Sequence, residues 1–282
     1  MKMKKMGALA ATLAAVAAFA LAGCGATTGG NTAAKDGGSS AGAAAADDGG
    51  YTLVKDGTLT VATSPDFPPF ENLENGEYVG FDIELAKALG KELGLKVEFK
   101  NIQFDGIVPA IAAGGQADVG MTGMTIEPDR EKQVDFSDPY YVDDQAVATM
   151  KSNTQLTADN YEKELDKSGV VIAVQSGTTG ETYAKEHFSN ATVKSFGNAT
   201  DCFAAMQSGQ AVAVVTNKAM GEKMVGGSYT DAQVLAPIAT GENYGIAVSK
   251  DNPALTSALN KALKKLTDDG TVEKLTNEYL LK

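Results

Sequence analysis

The sequence predicts an α/β protein of two lobes, each a mostly parallel sheet flanked by helices. From residue 51 onward, short β-rich runs alternate with amphipathic helical patterns, an order typical of parallel sheets with right-handed crossovers. The same alternation starts again near residue 170, which indicates a second unit. Segments near 146–148 and 242–245 are placed to cross between the units, so we expect a clamp hinged on two strands.

The first lobe opens with a β-rich run over 58–63, which ends at a loop that contains proline. Apolar residues then recur at helical spacing over 81–93, and Gly94 is placed to end that helix. Further strands are predicted over 96–99 and 117–121, because both runs are short and rich in residues that favour strands.

Between these last two strands, Asp105 is predicted to cap a helix that ends at Gly114 and Gly115. The predicted elements of the second lobe are strands over 170–174, 191–193 and 211–215 and helices through 183–184 and over 199–206. Two C-terminal helices over 253–280 are expected to pack back on the first lobe.

The N-terminus has the layout of a secretory signal. Three Lys within the first five residues precede an uncharged apolar stretch over 6–22, and small residues follow at a cut site. The tetrad Leu-Ala-Gly-Cys that ends at Cys24 resembles the bacterial lipobox, in which the Cys becomes the lipidated first residue of the mature protein. We therefore predict a lipoprotein signal peptide over 1–23 and lipidation of Cys24. A plain signal peptide with an incidental Cys is the alternative.

The segment 24–50, which begins with the lipidated Cys, is rich in Gly, Ala, Ser, Thr and Asn and has almost no large apolar side chain. Such a segment cannot bury a core, so we predict a flexible tether that holds the folded part away from the lipid. The folded part is predicted to divide into lobe 1, residues 51–146 plus 244–282, and lobe 2, residues 147–243.

Composition excludes several classes of partner and chemistry. Loss of the three Lys before Cys24 leaves 21 basic against 36 acidic side chains, a net charge of −15 rather than −12. That charge argues against nucleic acid as a partner. With one His and no cluster of His, Cys and carboxylates, we expect no metal and no cofactor. Cys202 lies in an apolar helical pattern and is expected to be a buried structural thiol.

The ligand site is expected where the predicted strands end, because ligands of open α/β sheets bind beyond the carboxyl ends of the strands. The loops at those ends carry aromatic rings, hydroxyls and glycines, which suit a small polar ligand. They are residues 64–70, 104–106, 122–130, 175–179 and 216–217.

Arg130 is the only Arg in a chain that uses Lys at every other basic position. Its planar fork can grip a carboxylate with two parallel hydrogen bonds, which an ammonium cannot do. A surface salt bridge with the neighbouring Asp129 or Glu131 is the alternative, since surface Arg is common. Sequence reasoning alone leaves both interpretations open.

Phe67 and Phe104 lie in polar loops, where a ring can cover the apolar part or the cation of a ligand. A loop anchor packed on the core is the alternative for both rings. The single His, His187, lies at the polar end of a predicted helix and is expected at the surface.

The run GFDIELAKALG over 80–90 resembles the signature of the family 3 extracellular solute-binding proteins, the polar amino-acid receptors of ABC importers. Further matches follow in order: FPPFE at 67–71, FDGIVPA at 104–110, GMTIEPDR at 123–130, DFSDPYY at 135–141, SGTT at 176–179 and YGIA at 244–247. The similarity covers nearly all of 53–280. It implies the two-lobed, periplasmic-binding-protein-like fold of type II.

The resemblance also implies roles for the matching residues. Arg130 would clamp the α-carboxylate of the ligand, helped by the backbone N–H groups of Thr125 and Thr179. The Gly123 carbonyl and the Thr125 hydroxyl would accept from the α-ammonium. Phe67 and Phe104 would lie on either side of the ligand.

The chain departs from the family at Asn217, where an Asp usually pairs with the α-ammonium. An amide oxygen can accept a hydrogen bond but carries no charge, so we expect Asn217→Asp to tighten the binding of an amino acid. Ser64 supplies no acid for a basic side chain, and Gln175 is a neutral donor and acceptor. These residues favour an uncharged polar amino acid as the ligand.

The predicted function is that of a monomeric, extracytoplasmic binding lipoprotein. It would be anchored to the membrane through Cys24 and would deliver an amino acid to the permease of an ABC importer, with no catalytic residues. A cyclohexadienyl-dehydratase-like enzyme on the same fold is one alternative; the expected cleft offers it Asp66, Glu71 and Asp105 but no His. A ligand-sensing receptor is the other, and it would need a second membrane segment or an output domain, which we do not expect in these 282 residues.

Overall fold

The computed structural model describes residues 50–281, and the strands of this part form three sheets. The strands are β1 (Thr58–Thr63), β2 (Asp66–Phe67), β3 (Glu71–Glu74), β4 (Glu77–Val79), β5 (Lys96–Asn101), β6 (Val119–Gly120), β7 (Val134–Phe136), β8 (Tyr141–Met150), β9 (Val171–Gln175), β10 (Thr192–Phe196), β11 (Ala213–Asn217), β12 (Ala232–Tyr244) and β13 (Ala247–Ser249). The signal peptide predicted over 1–23, the lipidated Cys24 and the tether up to residue 49 lie outside the described residues.

Helices cover both larger sheets. They are α1 (Phe81–Glu92), α2 (Phe104–Ala113), α3 (Pro128–Glu131), α4 (Tyr161–Leu165), α5 (Thr179–His187), α6 (Ala199–Gln207), α7 (Lys218–Gly226), α8 (Pro253–Asp268) and α9 (Thr271–Tyr279). The C-terminal pair, α8 and α9, packs against α1, as the sequence predicts. Over residues 50–281, no helix is both long and apolar enough to cross a membrane.

The first sheet has the strand order β5-β1-β6-β13-β7. Its β5, β1 and β6 are parallel, which is the arrangement that the alternating strand and helix patterns predict. The late strand β13 inserts antiparallel between β6 and β7. The C-terminal part of the chain therefore completes the sheet that the N-terminal part begins.

The second sheet has the order β10-β9-β11-β8-β12, with a parallel part formed by β10, β9 and β11 and an antiparallel part formed by β8 and β12. The chain passes between the two sheets after β7 and again before β13. The long strands β8 and β12 stay paired up to the contact of Tyr141 with Tyr244. Ala146, near which the first crossing is predicted, already pairs with Thr216 inside the second sheet. The division into two lobes at the predicted boundaries stays a prediction.

The close fit of α1 against the loop before it depends on Gly80, which has φ 125°. A Cβ atom at this position would lie 2.3 Å from the carbonyl oxygen of Phe70, so any side chain would force the two segments apart. The face of α1 that the helical spacing predicts is buried, from Phe81 through Leu85 to Leu89. This packing holds the loop between β2 and β3 against the start of α1, where Phe81 and Asp82 donate their backbone N–H groups to the carbonyls of Pro69 and Phe70.

The predicted cap of α2 is wrong. The helix begins two residues earlier than that cap implies, at Phe104, and the N-cap residue Gln103 makes no capping hydrogen bond through its side chain. Asp105 lies inside the first turn, where its side chain is free to turn outward. It accepts a hydrogen bond from Ser176 Oγ at 2.9 Å, so it links α2 to the second sheet instead of capping the helix.

Candidate functional site

The loops at the ends of the two larger sheets contact each other, and the candidate site lies where they meet. Ser176 after β9 donates to Asp105 of α2, and the backbone N–H of Ala199 in α6 donates to Asp66 of β2. Arg130 of α3 donates across the same gap to the carbonyl of Gly177, at 3.0 Å. These contacts bring together the loops that the sequence assigns to the ligand.

Arg130 is buried with 6% of its surface exposed, which excludes the surface salt bridge with Asp129 or Glu131. Its Nη1 donates to the Thr125 carbonyl at 2.7 Å, and its Nε lies 3.3 Å from a carboxylate oxygen of Glu127. Arg130 thus forms its ion pair with Glu127 and not with Asp129 or Glu131. A buried guanidinium held by carbonyls and a carboxylate is a fixed positive charge at the meeting point of the loops.

The Phe104 ring faces the guanidinium group of Arg130. The guanidinium carbon of Arg130 is 5.2 Å from the centroid of the Phe104 ring, a distance typical of a cation–π contact. Phe67 instead packs on Phe70, with the ring centroids 6.0 Å apart. Both Phe67 and Phe104 are buried, so each ring also anchors its loop. Their predicted positions on either side of a ligand stay a prediction.

The loop after β6 is held in place by contacts with α1 and β12. Gly123, with φ 52°, donates its backbone N–H to Asp82 Oδ2 at 2.7 Å, and a Cβ there would lie 3.1 Å from the Phe67 ring. Thr125 forms an isolated β-bridge with Tyr244 at the end of β12. The predicted ligand residues Gly123 and Thr125 therefore occupy fixed positions beside Phe67 and the strand that crosses between the sheets.

Two buried carboxyl groups, Glu71 and Asp82, lie behind this loop. Thr122 Oγ1 donates to Glu71 at 2.7 Å, and Tyr140 donates to Asp82 at 2.8 Å. Burial raises the pKa of Glu71 well above its usual range, with the charge of Asp82 adding to the rise, and burial raises the pKa of Asp82 to about 6. At neutral pH a proton shared by the two groups relieves their repulsion. This acid pair supports the Gly123 backbone.

Thr179 is the first residue of α5, and Thr178 caps that helix by accepting from the backbone N–H of Glu181 at 3.1 Å. The Thr179 hydroxyl donates to Glu242 Oε2 at 2.8 Å and accepts from Gln145 Nε2 at 3.1 Å. The start of α5 thus faces the strands β8 and β12, which brings Thr179 to the meeting point of the loops. Its predicted contact with a ligand carboxylate stays a prediction.

Glu242 is the site residue that the sequence analysis missed. It lies on β12, is 8% exposed, and accepts hydrogen bonds from Thr125 Oγ1 at 2.6 Å and from Asn217 Nδ2 at 3.1 Å. The Asn217 amide is thus in contact with a carboxylate that the sequence analysis did not consider. Asn217→Asp would place a second carboxylate against the first, and their repulsion opposes the tighter binding predicted from the missing charge at position 217. One feature of the sequence could have indicated Glu242: it is a charged residue within a segment that is predicted to cross between the two units.

Ser64 and Gln175 are both buried at this meeting point. Ser64 Oγ donates to Asp66 Oδ1 at 2.9 Å, and burial raises the pKa of Asp66. Gln175 Nε2 lies 3.4 Å from the Gly197 carbonyl, and its Oε1 is buried with no hydrogen-bond partner among residues 50–281. Gln175 therefore retains an unused acceptor. Ser64 itself supplies no acid, as its sequence-based interpretation has it, but the carboxylate of Asp66 lies beside it.

Of the residues outside the site, Cys202 is buried and His187 is exposed on α5, stacked on Tyr183, both as the sequence predicts. Burial raises the pKa of the Cys202 thiol above its usual range. A thiol that resists ionisation is a packed structural group rather than a nucleophile.

Residues 59–282 match the family model of bacterial extracellular solute-binding proteins, family 3. A probable histidine-binding protein of Neisseria gonorrhoeae is 34% identical over 227 residues, which are 79% of this chain and 82% of that protein. The solved structure of an ancestral arginine-binding protein bound to glutamine is 41% identical, with a TM-score of 0.75, and the match covers 81% of this chain and 100% of that one. An ancestral amino acid-binding protein, a precursor of cyclohexadienyl dehydratase, is also 41% identical, with a TM-score of 0.74 and coverage of 79% and 96%.

Two sheets joined by crossing strands, with a buried Arg where their loops meet, define a binding protein of the periplasmic type. The chain belongs to the family 3 bacterial extracellular solute-binding proteins. The predicted fold class and the predicted family are both confirmed.

Proposed function

We propose that this protein captures a free amino acid outside the cytoplasmic membrane and delivers it to the permease of an ABC importer. The observation that carries this proposal is Arg130. A guanidinium that is 94% buried, and that bonds to carbonyls from the loops of both sheets, is placed to receive a carboxylate enclosed between them. The relatives named for histidine, arginine and glutamine support an amino acid as the source of that carboxylate.

The proposed ligand has an uncharged polar side chain. Gln175 supports this, because its buried Oε1 is an unused acceptor that a hydroxyl or an amide N–H of the ligand could satisfy. Arg130 already serves the α-carboxylate, so a second carboxylate on the ligand would lack a buried cationic partner in the part of the chain that the structure describes.

A cationic side chain is the second candidate, and Asp66 is the observation that favours it. The Asp66 carboxylate lies 2.9 Å from Ser64 Oγ, so an acid is present beside a residue that itself supplies none. It already accepts a backbone N–H from Ala199, so a cationic ligand would have to share it. A neutral ligand leaves this link between the sheets intact, which is why we place the neutral class first.

The proposed activity is binding without catalysis. The three carboxyl groups that the sequence offers to a dehydratase-like enzyme each accept a hydrogen bond from the protein itself. Asp66 accepts from Ser64, Glu71 from Thr122 and Asp105 from Ser176. A general acid or base needs a free path to the proton that it transfers, so these contacts support a binder.

We further propose that the mature protein begins at Cys24, which carries the lipid anchor, and that the binding domain acts as a monomer. The family's extracellular placement supports export, and the small-residue tetrad before Cys24 supports lipidation. The anchor lies outside residues 50–281, so its support comes from the sequence.

A thermal-shift screen of the purified protein against the common L-amino acids tests this proposal. A ligand at a hundredfold excess over its Kd stabilises the folded state by about 2.7 kcal/mol, which shifts the Tm by several degrees. We expect glutamine or another uncharged polar amino acid to give the largest shift. A largest shift with arginine or lysine selects the second candidate, and no shift with any amino acid contradicts the proposed function.

A further inference from the structure

Glu242 is the centre of a buried polar cluster that joins four segments of the chain. Its Oε2 accepts from Thr125 at 2.6 Å, Thr179 at 2.8 Å and Asn217 at 3.1 Å, and its Oε1 accepts from Gln145 at 2.9 Å. All four donors are neutral hydroxyls or amides. They solvate an ionised carboxylate, but none of them neutralises it.

Arg130 and Glu242 attract each other through space but do not contact each other: burial lowers the pKa of Arg130, and the charges of Glu127 and Glu242 oppose that shift. The ion pair of Arg130 is with Glu127, and among residues 50–281 no ion pair joins Arg130 to Glu242. Both groups instead bond to Thr125: Arg130 Nη1 contacts its carbonyl oxygen at 2.7 Å, and Glu242 Oε2 contacts its hydroxyl at 2.6 Å. The site therefore holds one buried positive and one buried negative charge on two sides of a single residue.

A zwitterionic head group carries the complementary pair of charges. Its carboxylate matches Arg130 and its ammonium matches Glu242. A buried carboxylate that no cation contacts is costly, and an ammonium group bound beside it would relieve that cost. The geometry thus accounts for an Asn at position 217: the amide of Asn217 donates to the carboxylate instead of duplicating it.

We propose that Glu242 is the residue that receives the ammonium group of the bound amino acid, with Asn217, Thr125 and Thr179 orienting its carboxylate. This inference rests on the proposed function, because it needs an amino acid in the site. It makes Glu242 a determinant of specificity for ligands that carry a free amino group.

The test compares each amino acid with its deaminated analogue by calorimetric titration. The amino acid is whichever of L-glutamine, L-histidine and L-arginine shifts the Tm of the wild type most; the analogue is 4-carbamoylbutanoate, imidazolepropionate or 5-guanidinopentanoate. Glu242→Gln keeps the shape of the side chain and removes its charge. We expect it to weaken binding of the amino acid about 30-fold or more and to change binding of the analogue less than about threefold.

Two further variants keep the result interpretable. Glu131→Gln removes an exposed carboxylate from the neighbouring α3 and should leave both affinities unchanged. The double variant Glu242→Gln with Asn217→Asp moves the carboxylate to the other side of the same hydrogen bond. It should recover at least tenfold of the lost affinity for the amino acid and none for the analogue.

The possible failures are distinct. If none of the three amino acids binds the wild type, the proposed function fails for this panel and the role of Glu242 fails with it. If the wild type binds but Glu242→Gln weakens amino acid and analogue equally, Glu242 only links the sheets and this inference alone is overturned. Tighter binding by Glu242→Gln would also overturn it, because the carboxylate would then be competing with the ligand.

Discussion

Arg130 Nη2 donates a hydrogen bond of 3.0 Å to the carbonyl oxygen of Gly177, so a side chain of the first sheet's loops contacts the backbone of the second's. Gly177 also contacts α2, because a Cβ atom on it would lie 2.9 Å from Asp105 Cβ. The loop after β9 can reach Arg130 only because position 177 has no side chain.

Gly177→Ala should therefore weaken ligand binding. The added methyl group overlaps Asp105 when the two sets of loops meet, and overpacking of this kind costs about 1–3 kcal/mol, or roughly 5- to 150-fold in affinity. The backbone strain at φ 75° needs its own control. Gly209→Ala has the same φ of 75° with nothing within 4 Å, so it should lose similar stability and no affinity.

Calorimetric titration measures the affinities of both variants, and small-angle scattering measures the compaction of the particle on adding ligand. We expect compaction in the wild type and in Gly209→Ala, because lobes that enclose a ligand must close about the crossing strands. Equal affinities for the two variants, or identical scattering of the wild type with and without ligand, would contradict a closing clamp.

The acid pair of Glu71 and Asp82 predicts a pH dependence of stability. Burial raises the pKa of both groups, that of Asp82 to about 6, so the folded protein binds more protons than the unfolded chain between about pH 4 and 6. The stability that the two protonated groups contribute to the folded protein is fully present below their pKa values in the unfolded chain. It is lost as pH rises through their pKa values in the folded protein. The Glu71→Gln variant keeps only the carboxyl group of Asp82, and the introduced amide N–H can donate a hydrogen bond to it.

We expect Glu71→Gln to gain stability relative to the wild type as pH rises from 4 to 7, by about 1 kcal/mol or more. Urea unfolding at several pH values measures this difference. Glu77→Gln, which changes an exposed carboxylate on β4, is the matched control and should parallel the wild type. A constant difference between Glu71→Gln and the wild type across this range would mean that the pair does not share a proton.

Cys24→Ser tests the anchor. Without the thiol no lipid can be attached, so the protein should move from the membrane fraction to the soluble or secreted fraction, or remain as an uncut precursor. Mass spectrometry of the N-terminus identifies which product forms. A correctly cleaved Cys24→Ser protein that still sediments with membranes would refute the lipoprotein proposal.

The sequence predicts the fold well because strand and helix periodicity depends on local burial, and that burial is regular from β1 to α9. It also leads to Arg130 and Thr179, which lie near strand ends and which the structure brings to the meeting point of the loops. Their contact with a ligand stays a prediction. It misses Glu242 because this residue lies within the long strand β12, where no loop marks it as a site residue. It assigns Asp105 to a cap because its actual partner, Ser176, is 71 residues away in the chain.

The central claim is that a ligand carboxylate binds the buried Arg130, and titration of Arg130 variants tests it most directly. With the amino acid that stabilises the wild type most, Arg130→Lys should weaken binding about 30-fold or more, since it keeps a charge but loses the fork. Arg130→Ala should abolish measurable binding with the fold intact. Lys132→Ala, an exposed cation next to α3, should bind as the wild type does. An Arg130→Ala protein with unchanged affinity would contradict the account.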